Sequence, residues 1–397
     1  RELLPPPQPD HLAEAWAAVQ AKAAKPGFDP EDLRGDILAL RARFPGTQPA
    51  FRAAELLARL PSPLDQLDAA RIPPALRLAR QPSELVAVLG EPRNQNWGDI
   101  FRLSFRPDGK TLACGASSDK TVRVWDLAGT EPRRAQVISG YGYTANTLAF
   151  TPDGLGLSFI GDGCVVRHWD LANNRQQPWA VVLGPSSSTV VTSVAFAPDG
   201  KALAYGGEDC TVHLWDLART ESRERAVLRG HTGSVLALAF SPDGQTLASG
   251  SADRLVRLWD LTTQPPLERA ALKGHHQRIQ GLAFTPDGKS LLSCANDSSV
   301  RLWDLSTGKE KNVFRVSNNN FVAVTVTADG RRAAASSSGG SVVWWDLTTG
   351  TKGGEFQFPS GAWNVAFAPD GRHLAIGNGN GTVYILRLAQ RPPLSER

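Results

Sequence analysis

Short apolar runs separated by turn residues recur along most of the chain, and the stretch from Gly230 to Asp260 shows the pattern most completely. The turn triplet Pro242-Asp243-Gly244 separates the first run from the second. Pro fixes its own backbone angle, Asp bonds the following backbone and Gly tolerates a positive φ, so the triplet predicts a tight turn. Three runs are predicted as β-strands: Val235–Phe240, Thr246–Ser249 and Leu255–Trp259.

The turn triplet and a Trp-Asp pair return at a regular period. Successive turn glycines are 45, 46, 44, 44, 42 and 41 residues apart, and they are Gly109, Gly154, Gly200, Gly244, Gly288, Gly330 and Gly371. The pair occurs in six of the seven copies, and its tryptophans are Trp125, Trp169, Trp215, Trp259, Trp303 and Trp345.

This period with these two marks resembles the WD-repeat (beta-transducin repeat) family. The resemblance covers about three quarters of the chain. It implies an all-β fold, a seven-bladed beta-propeller whose blades are four-stranded antiparallel sheets. A lone sheet of this kind has two apolar faces, so each must stack on its neighbours until the ring closes. We expect the propeller over residues 84–390, with residues 84–90 closing the ring against residues 382–388, and a tail over 391–397.

The first 60 residues carry apolar positions three or four apart, and they predict a small N-terminal α-helical segment of about three helices. Asp29-Pro30 is a strong helix start, because Asp caps a helix and Pro suits its first turn. Pro45-Gly46 ends that helix. Residues 61–83 contain five prolines and are interpreted as a stiff linker. The helices are expected either to cap the propeller or to connect it to another domain.

Two adjacent copies combine His, Ser, Asp and Trp at equivalent positions. The two sets are His231, Ser249, Asp253 and Trp259, and His275, Ser293, Asp297 and Trp303. A hydrolase triad needs an exposed nucleophile, a base and an orienting acid, and an enzyme needs only one triad. The family resemblance implies instead a buried hydrogen-bond chain from Asp to His to Ser to the indole N–H. These residues are therefore predicted to be structural, and no catalytic residue is assigned.

Residues that differ between copies at fixed repeat positions are the candidates for recognition. In a propeller, the loops before the first strand and between the second and third strands share one rim. Aromatic residues and Arg, which are enriched at binding hot spots, occur in these loops. Phe321 and Trp363 also suit core positions, and that alternative stays open. The predicted partner-binding rim comprises Trp97, Asp99, Tyr141, Tyr143, Arg278, Asn320 and Trp363.

An Arg precedes the Trp by two residues in four copies, at Arg123, Arg167, Arg257 and Arg301. A basic ring of these residues would suit phosphate or nucleic acid. A structural role would place each stem along neighbouring strands and leave each charged head in water. Both interpretations stay open.

The positions expected to face the central channel, those equivalent to Ala237, bear on enzyme activity. They include one charge, no carboxylate and no His, and they are Arg102, Thr147, Ser193, Gly281, Ala323 and Asn364. This set disfavours hydrolysis at the channel, and neither a metal nor a cofactor is predicted.

The chain has 43 basic and 39 acidic residues, so it lacks the basic surplus typical of nucleic-acid binding. We therefore expect a non-catalytic protein–protein interaction scaffold that binds a protein or peptide segment on one rim. It would act as a monomer or within a larger assembly, without nucleic acid. A channel enzyme and a weak nucleic-acid binder are the alternatives.

Cysteine usage and the chain start bear on the compartment. Four scattered cysteines do not suit a disulfide framework, and unpaired thiols favour the cytoplasm. The chain begins at Arg1 and contains no Met, which indicates a processed product or an excised piece and keeps export open. No apolar run approaches the ~20 residues of a membrane helix, so no membrane insertion is expected. High Ala, Arg and Pro usage is typical of a GC-rich genome and favours a bacterial source.

Overall fold

The computed structural model describes residues 9–79, 81–90, 99–116, 120–139, 148–151, 153–161, 165–176, 181–182, 190–217 and 223–388. Three helices come first: α1 Pro9–Ala23, α2 Pro30–Arg43 and α3 Gln48–Arg59. Three 3-10 turns follow, at Pro63–Gln66, Ala69–Arg71 and Pro74–Leu76. The rest of the described chain forms seven antiparallel sheets, the blades of a propeller.

The strands follow chain order within each blade. Blade 1 contains β2 Ile100–Phe105, β3 Thr111–Ala116, β4 Val122–Asp126 and β5 Arg133–Ile138. Blade 2 contains β6 Leu148–Phe150, β7 Gly156–Gly161, β8 Val165–Asp170 and two short outer strands, β9 Arg175–Gln176 and β10 Val181–Val182. Blade 3 contains β11 Val191–Phe196, β12 Ala202–Gly207, β13 Val212–Asp216 and β14 Arg223–Leu228.

The later blades repeat this plan. Blade 4 contains β15 Val235–Phe240, β16 Thr246–Ser251, β17 Leu255–Asp260 and β18 Leu267–Lys273. Blade 5 contains β19 Ile279–Phe284, β20 Ser290–Ala295, β21 Ser299–Asp304 and β22 Lys309–Arg315. Blade 6 contains β23 Phe321–Val326, β24 Arg332–Ser337, β25 Ser341–Asp346 and β26 Thr351–Gln357. Blade 7 contains β27 Ala362–Phe367, β28 His373–Asn378, β29 Val383–Arg387 and, as its outer strand, β1 Leu85–Leu89.

The outer strand of blade 7 comes from the start of the propeller. β1 pairs antiparallel with β29, with Leu85 opposite Leu386 and Leu89 opposite Val383. The Arg387 N–H adds a hydrogen bond to the Glu84 carbonyl at 2.7 Å. The seven-bladed, four-stranded antiparallel propeller expected from the repeat is confirmed, and this pairing joins its two ends.

Neighbouring blades share their apolar cores. Between blades 3 and 4, Val212 and Leu214 pack with Leu247 and Trp259 in one buried cluster. The same arrangement joins blade 5 to blade 6, where Trp345 lies among blade 5 side chains. In these repeats the Trp therefore fills the space between its own blade and the preceding one, because neither sheet face can be left in water.

The seven Asp-Gly turns all take one shape. The Asp carboxylate accepts a hydrogen bond from the backbone N–H two residues later, at 2.8 to 3.0 Å in every copy. The following Gly has φ between +67° and +72°, a left-handed conformation that residues with a Cβ rarely adopt. These turns define one end of every blade.

The structure brings the two predicted tetrads together. His231 Nδ1 lies 2.8 Å from Asp253 Oδ2, and its Nε2 lies 2.8 Å from Ser249 Oγ. Trp259 donates its indole N–H to the same Ser249 Oγ at 2.8 Å. Because the carboxylate only accepts, Nδ1 carries the proton, so the Ser249 hydroxyl donates to Nε2. The second set is equivalent, with the corresponding distances of 2.9, 2.7 and 2.8 Å, and consists of His275, Asp297, Ser293 and Trp303.

The tetrad serine is inaccessible, and the tetrad aspartate is held ionised. Ser249 has 0% of its surface exposed, so no substrate reaches its hydroxyl. Burial alone would raise the pKa of Asp253, but His231 and the backbone N–H groups of Thr232 and Leu255 outweigh it and hold this pKa at about 2. Each tetrad thus joins the loop before the first strand to the second and third strands.

The helices cover the end of the ring that carries the Asp-Gly turns. Gly46 approaches blade 4 so closely that a Cβ there would lie 3.0 Å from the Asp243 backbone nitrogen. Glu31 accepts a hydrogen bond from Lys110 of blade 1 at 2.7 Å, and Arg331 of blade 6 donates to Glu55 at 2.8 Å. Contacts with three separated blades show that the helices cap the propeller.

Residues 61–83, interpreted from the sequence as a Pro-rich linker, pack against the ring. A capping box between Ser62 and Asp65 starts the first 3-10 turn. Leu64 and Leu67 are buried in one cluster with Leu89 and other residues of blades 1 and 7. The prolines therefore start compact turns rather than an extended spacer.

A buried polar network fastens this segment to blade 7. Arg372 donates to both carboxylate oxygens of Asp65 at 2.9 and 2.8 Å and also to the Leu60 carbonyl. Arg387 donates to the carbonyls of Asp65 and Leu67 at 3.0 and 2.9 Å. These charged hydrogen bonds join chain segments that lie about 300 residues apart.

The Ser249→Ala substitution should lower the free energy of unfolding by about 1–3 kcal/mol, because His231 and Trp259 both lose a buried partner. Ser336→Ala is the matched control, since Ser336 is equally buried and its hydroxyl has no partner among the described residues. Its effect should be near zero. Urea denaturation midpoints of both variants check this, and equal midpoints would contradict a fastening role.

The stability that Asp253 contributes should depend on pH below about 4. Its pKa falls from an ordinary 3.8 to about 2 in the folded protein. The contribution is therefore complete above pH 3.8 and is lost as the pH falls towards 2. In denaturant titrations from pH 5 to pH 3, the stability gap between the wild type and Asp253→Asn should narrow. A constant gap would contradict the assignment.

Arg372→Ala should strongly destabilise the cap, by about 3–5 kcal/mol, because it leaves Asp65 without its buried partner. Arg331→Ala is the control: the Arg331–Glu55 pair is exposed (57% and 32%) and should contribute at most about 1 kcal/mol. Hydrogen exchange of α2 and α3 amides, measured beside thermal melting, should accelerate only in Arg372→Ala. Similar exchange in the two variants would show that the buried network does not hold the cap.

Candidate functional site

The cap leaves one end of the ring for recognition. We call this end the open rim, defined as the loops before each first strand and between each second and third strand. The Asp-Gly turns lie at the opposite ends of these strands, beneath α2 and α3. Of the predicted rim residues, Asp99, Arg278 and Asn320 lie in open-rim loops and Trp363 lies at the open-rim end of β27. Trp97, Tyr141 and Tyr143 lie outside the described residues.

A β-bulge recurs at the open-rim end of the innermost strands. In six blades the pairing skips one residue after the first pair, as at Leu236 between Val235 and Ala237. A bulge leaves one residue unpaired and redirects its side chain. We call these six residues the bulge row: Phe101, Thr192, Leu236, Gln280, Val322 and Trp363.

A central cavity of about 150 Å³ lies among the innermost strands. Its lining includes three bulge-row residues together with the next position of each strand. That next position holds Arg102, Ser193, Ala237, Gly281, Ala323 and Asn364, the residues expected from the sequence to face the channel, while Thr147 lies outside the described residues. Arg102 is the one charged residue in the described lining.

Asp99, Phe101 and Trp363 form a cluster on the open rim where blade 7 meets blade 1. The Trp363 indole lies beside the Asp99 carboxylate, and burial raises the pKa of Asp99 more than the indole N–H lowers it. Phe101 and Trp363 meet edge to face, with ring centroids 5.6 Å apart. A Cβ on Gly379 would lie 3.1 Å from Trp363 Nε1 and 3.2 Å from Asp99 Oδ1, so this position must stay small.

Phe321 and Trp363, for which the sequence also allowed a core position, differ in their burial. Phe321 has 0% of its surface exposed and packs against Trp345, at a centroid distance of 6.1 Å. Trp363 is only half-buried. Phe321 is therefore a core residue, whereas the bulge brings Trp363 to the surface of the open rim.

Arg278 and Asn320 are exposed on the open rim. Their backbones are fixed, because Arg278 O accepts from Asn296 N at 3.2 Å and Asn320 O accepts from Ser338 N at 3.1 Å. Among the described residues, no side-chain hydrogen bond engages either of them. The backbone therefore positions two polar side chains that remain available for contact.

The arginines that precede the Trp do not form a free basic ring. Arg257 donates to both carboxylate oxygens of Glu268 at 2.6 Å, and Arg301 pairs with Glu310. Arg123 and Arg301 are 3% and 4% exposed, so their heads do not lie in water either. The basic-ring interpretation is wrong for the paired arginines, because a carboxylate on the outer strand neutralises each one.

The bulge row was missed in the sequence. Its signal was available in the repeat alignment, where the position of Leu236 holds mostly large residues and the next position mostly small ones. A row of large residues beside a row of small ones is what a bulge at a channel mouth requires. The sequence does not show the extra residue itself, because the strand length is unchanged.

Two further observations bear on the class of site. In the described parts of the chain, no group of three or more His, Cys, Asp or Glu side chains is arranged to hold a metal ion. None of the described helices is long and apolar enough to cross a membrane.

Curated relatives match a short part of the chain. WD repeat and SOCS box-containing protein 1 of Danio rerio is 40% identical over 74 residues, which are 18% of this chain and 17% of that protein. The Homo sapiens protein of the same name is 36% identical over 69 residues, 17% of this chain and 16% of that protein. The alignments thus span less than a fifth of these relatives. Both relatives are vertebrate proteins, and they lend no support to a bacterial source.

Two family models match the propeller region. The model described as WD domain, G-beta repeat matches residues 87–126. The model described as IFT122 first beta-propeller matches residues 190–396, just over half of the chain. With the seven antiparallel blades, these matches show that the chain belongs to the WD-repeat family of seven-bladed beta-propellers, in the group described as IFT122 first beta-propeller.

Proposed function

We propose that this protein is a non-catalytic interaction scaffold and that its open rim binds a protein or peptide segment. The observation that carries the proposal is the half-buried Trp363, brought to the mouth of the ring by a bulge and packed edge to face against Phe101. A Trp held in one orientation loses little entropy on binding, which is why such residues dominate interface energies.

The surrounding residues suit the same role. Phe101, Leu236 and Val322 supply apolar area in the bulge row, and Arg278 and Asn320 supply an exposed polar border. An apolar centre with a polar border is the usual anatomy of an interface. The cap covers the other end of the ring, so the open rim is the end that we assign to the partner.

The names of the relatives agree with an interaction role, but they do not identify a partner for this chain. They combine WD repeats with a SOCS box, and the aligned part is 16–17% of those proteins. We therefore restrict the proposal to partner binding by the propeller, with no nucleic acid and no membrane insertion.

Trp363→Ala should weaken partner capture from a native lysate by about 30-fold or more, the effect of losing a hot-spot residue worth at least 2 kcal/mol. Arg278→Ala should weaken it less. The matched controls are Leu267→Ala and Arg223→Ala, which change exposed residues on outer strands. Quantified co-purification of the same proteins by all four variants is the measurement, with melting curves to verify folding. Capture that is equal across folded variants would refute the assignment of the open rim.

A further inference from the structure

Arg102 is a positive charge in the central cavity for which the described residues supply no carboxylate partner. Its only hydrogen-bond acceptor among the described residues is the Phe101 carbonyl, at 2.9 Å. A guanidinium has five N–H donors in a planar fork, so most of them have no acceptor there. No carboxylate is among the described residues that line the cavity.

We infer that Arg102 receives a carboxylate carried by the segment that the open rim binds. This inference rests on the proposed function, and it specifies the chemistry of the partner: an acidic side chain flanked by apolar residues. The segment would enter past the bulge row, and its carboxylate would end in the cavity below.

The cost of placing this charge here argues for a ligand. Burial lowers the pKa of Arg102, yet a guanidinium with an ordinary pKa above 12 stays protonated. Arg102 is half-buried, and a partly desolvated charge without a partner lowers the stability of a fold. Residues that break local rules in this way are concentrated at functional sites.

The hydrogen-bonding groups beside Arg102 suit an acceptor. Asn364 accepts from the Leu103 N–H through Oδ1 at 3.2 Å, which leaves its NH₂ group for donation. Ser193 uses its hydroxyl proton on the Val235 carbonyl at 3.1 Å. Of these two groups, the Asn364 NH₂ therefore offers a donor to a carboxylate, which has only acceptors, whereas the Ser193 hydroxyl does not.

The far end of the channel adds positive potential. Arg41 of the cap lies among residues of the innermost strands there, including Leu103 and Val326. Burial lowers the pKa of Arg41, and the Asp329 carboxylate offsets this effect only in part. An anion that enters from the open rim is thus attracted along the channel.

The charge of one guanidinium favours a carboxylate over a phosphate, and the cavity has room for a carboxylate. One guanidinium balances one negative charge, whereas a phosphoserine carries about −1.5 to −2 at neutral pH. A cavity of about 150 Å³ has room for about five waters at ~30 Å³ each. That room admits the end of one Asp or Glu side chain.

The experiment selects binders from a displayed library of random 12-residue peptides with the full chain. The best peptide is then synthesised in three forms, with Glu, Gln or phosphoserine at its acidic position. The wild type should prefer Glu to Gln by roughly 10- to 150-fold, the range for a hydrogen bond to a charged group. Arg102→Gln should remove this preference. Arg278→Gln, outside the cavity, should weaken both peptides alike and retain it.

Each contrary result has a distinct meaning. Peptides that depend on Trp363 but are indifferent to Arg102→Gln would overturn this inference and leave the proposed function standing. A library that yields no binder dependent on Trp363 would overturn both. Phosphoserine binding more tightly than Glu, in an Arg102-dependent way, would overturn the choice of carboxylate.

A stability measurement tests the same inference without a ligand. Because no described residue pairs with this charge, Arg102→Met should melt at a temperature equal to or higher than that of the wild type. A lower melting temperature would show that the fold itself uses the charge, and it would overturn the inference.

Discussion

Every blade of this protein is a sheet with two apolar faces, and the whole architecture depends on covering both. A face is covered only by the next blade, as where Trp259 packs on blade 3. This requirement passes from blade to blade until the first and last sheets meet. The pairing of β1 with β29 is therefore more than one further strand contact. It allows every other interblade core to be buried at the same time.

Side-chain hydrogen bonds add to the stability of this ring of blades. The two tetrads tie loops to strands in adjacent blades, and the Arg372–Asp65 network ties the cap to blade 7. Both give a charged side chain a hydrogen-bonding side-chain partner. Arg102 differs, because it is half-buried and has no carboxylate partner among the described residues. This contrast between paired and unpaired charge separates the scaffold from the candidate site in this molecule.

The repeat made the propeller predictable, since a 41- to 46-residue period and the Asp-Gly turn chemistry are local features of sequence. The tetrad contacts were implied by the family resemblance. Two features of the structure could not be predicted from the sequence. The bulge that exposes Trp363 is a matter of strand pairing, which leaves no mark on strand length. The packing of residues 61–83 depends on partners such as Arg372, far along the chain, and proline content alone is the same in a spacer and in compact turns.

The two strands whose pairing closes the ring leave the ribosome at different times. Leu85 and Leu386 lie about 300 residues apart in the chain. At ~5–20 residues per second, translation separates the appearance of the two strands by about 15–60 s. Throughout that interval the nascent β1, Leu-Val-Ala-Val-Leu, is an apolar strand without its partner, the kind of segment that pairs with foreign chains. The nascent β1 therefore needs protection from other chains until β29 has been synthesised and the ring can close.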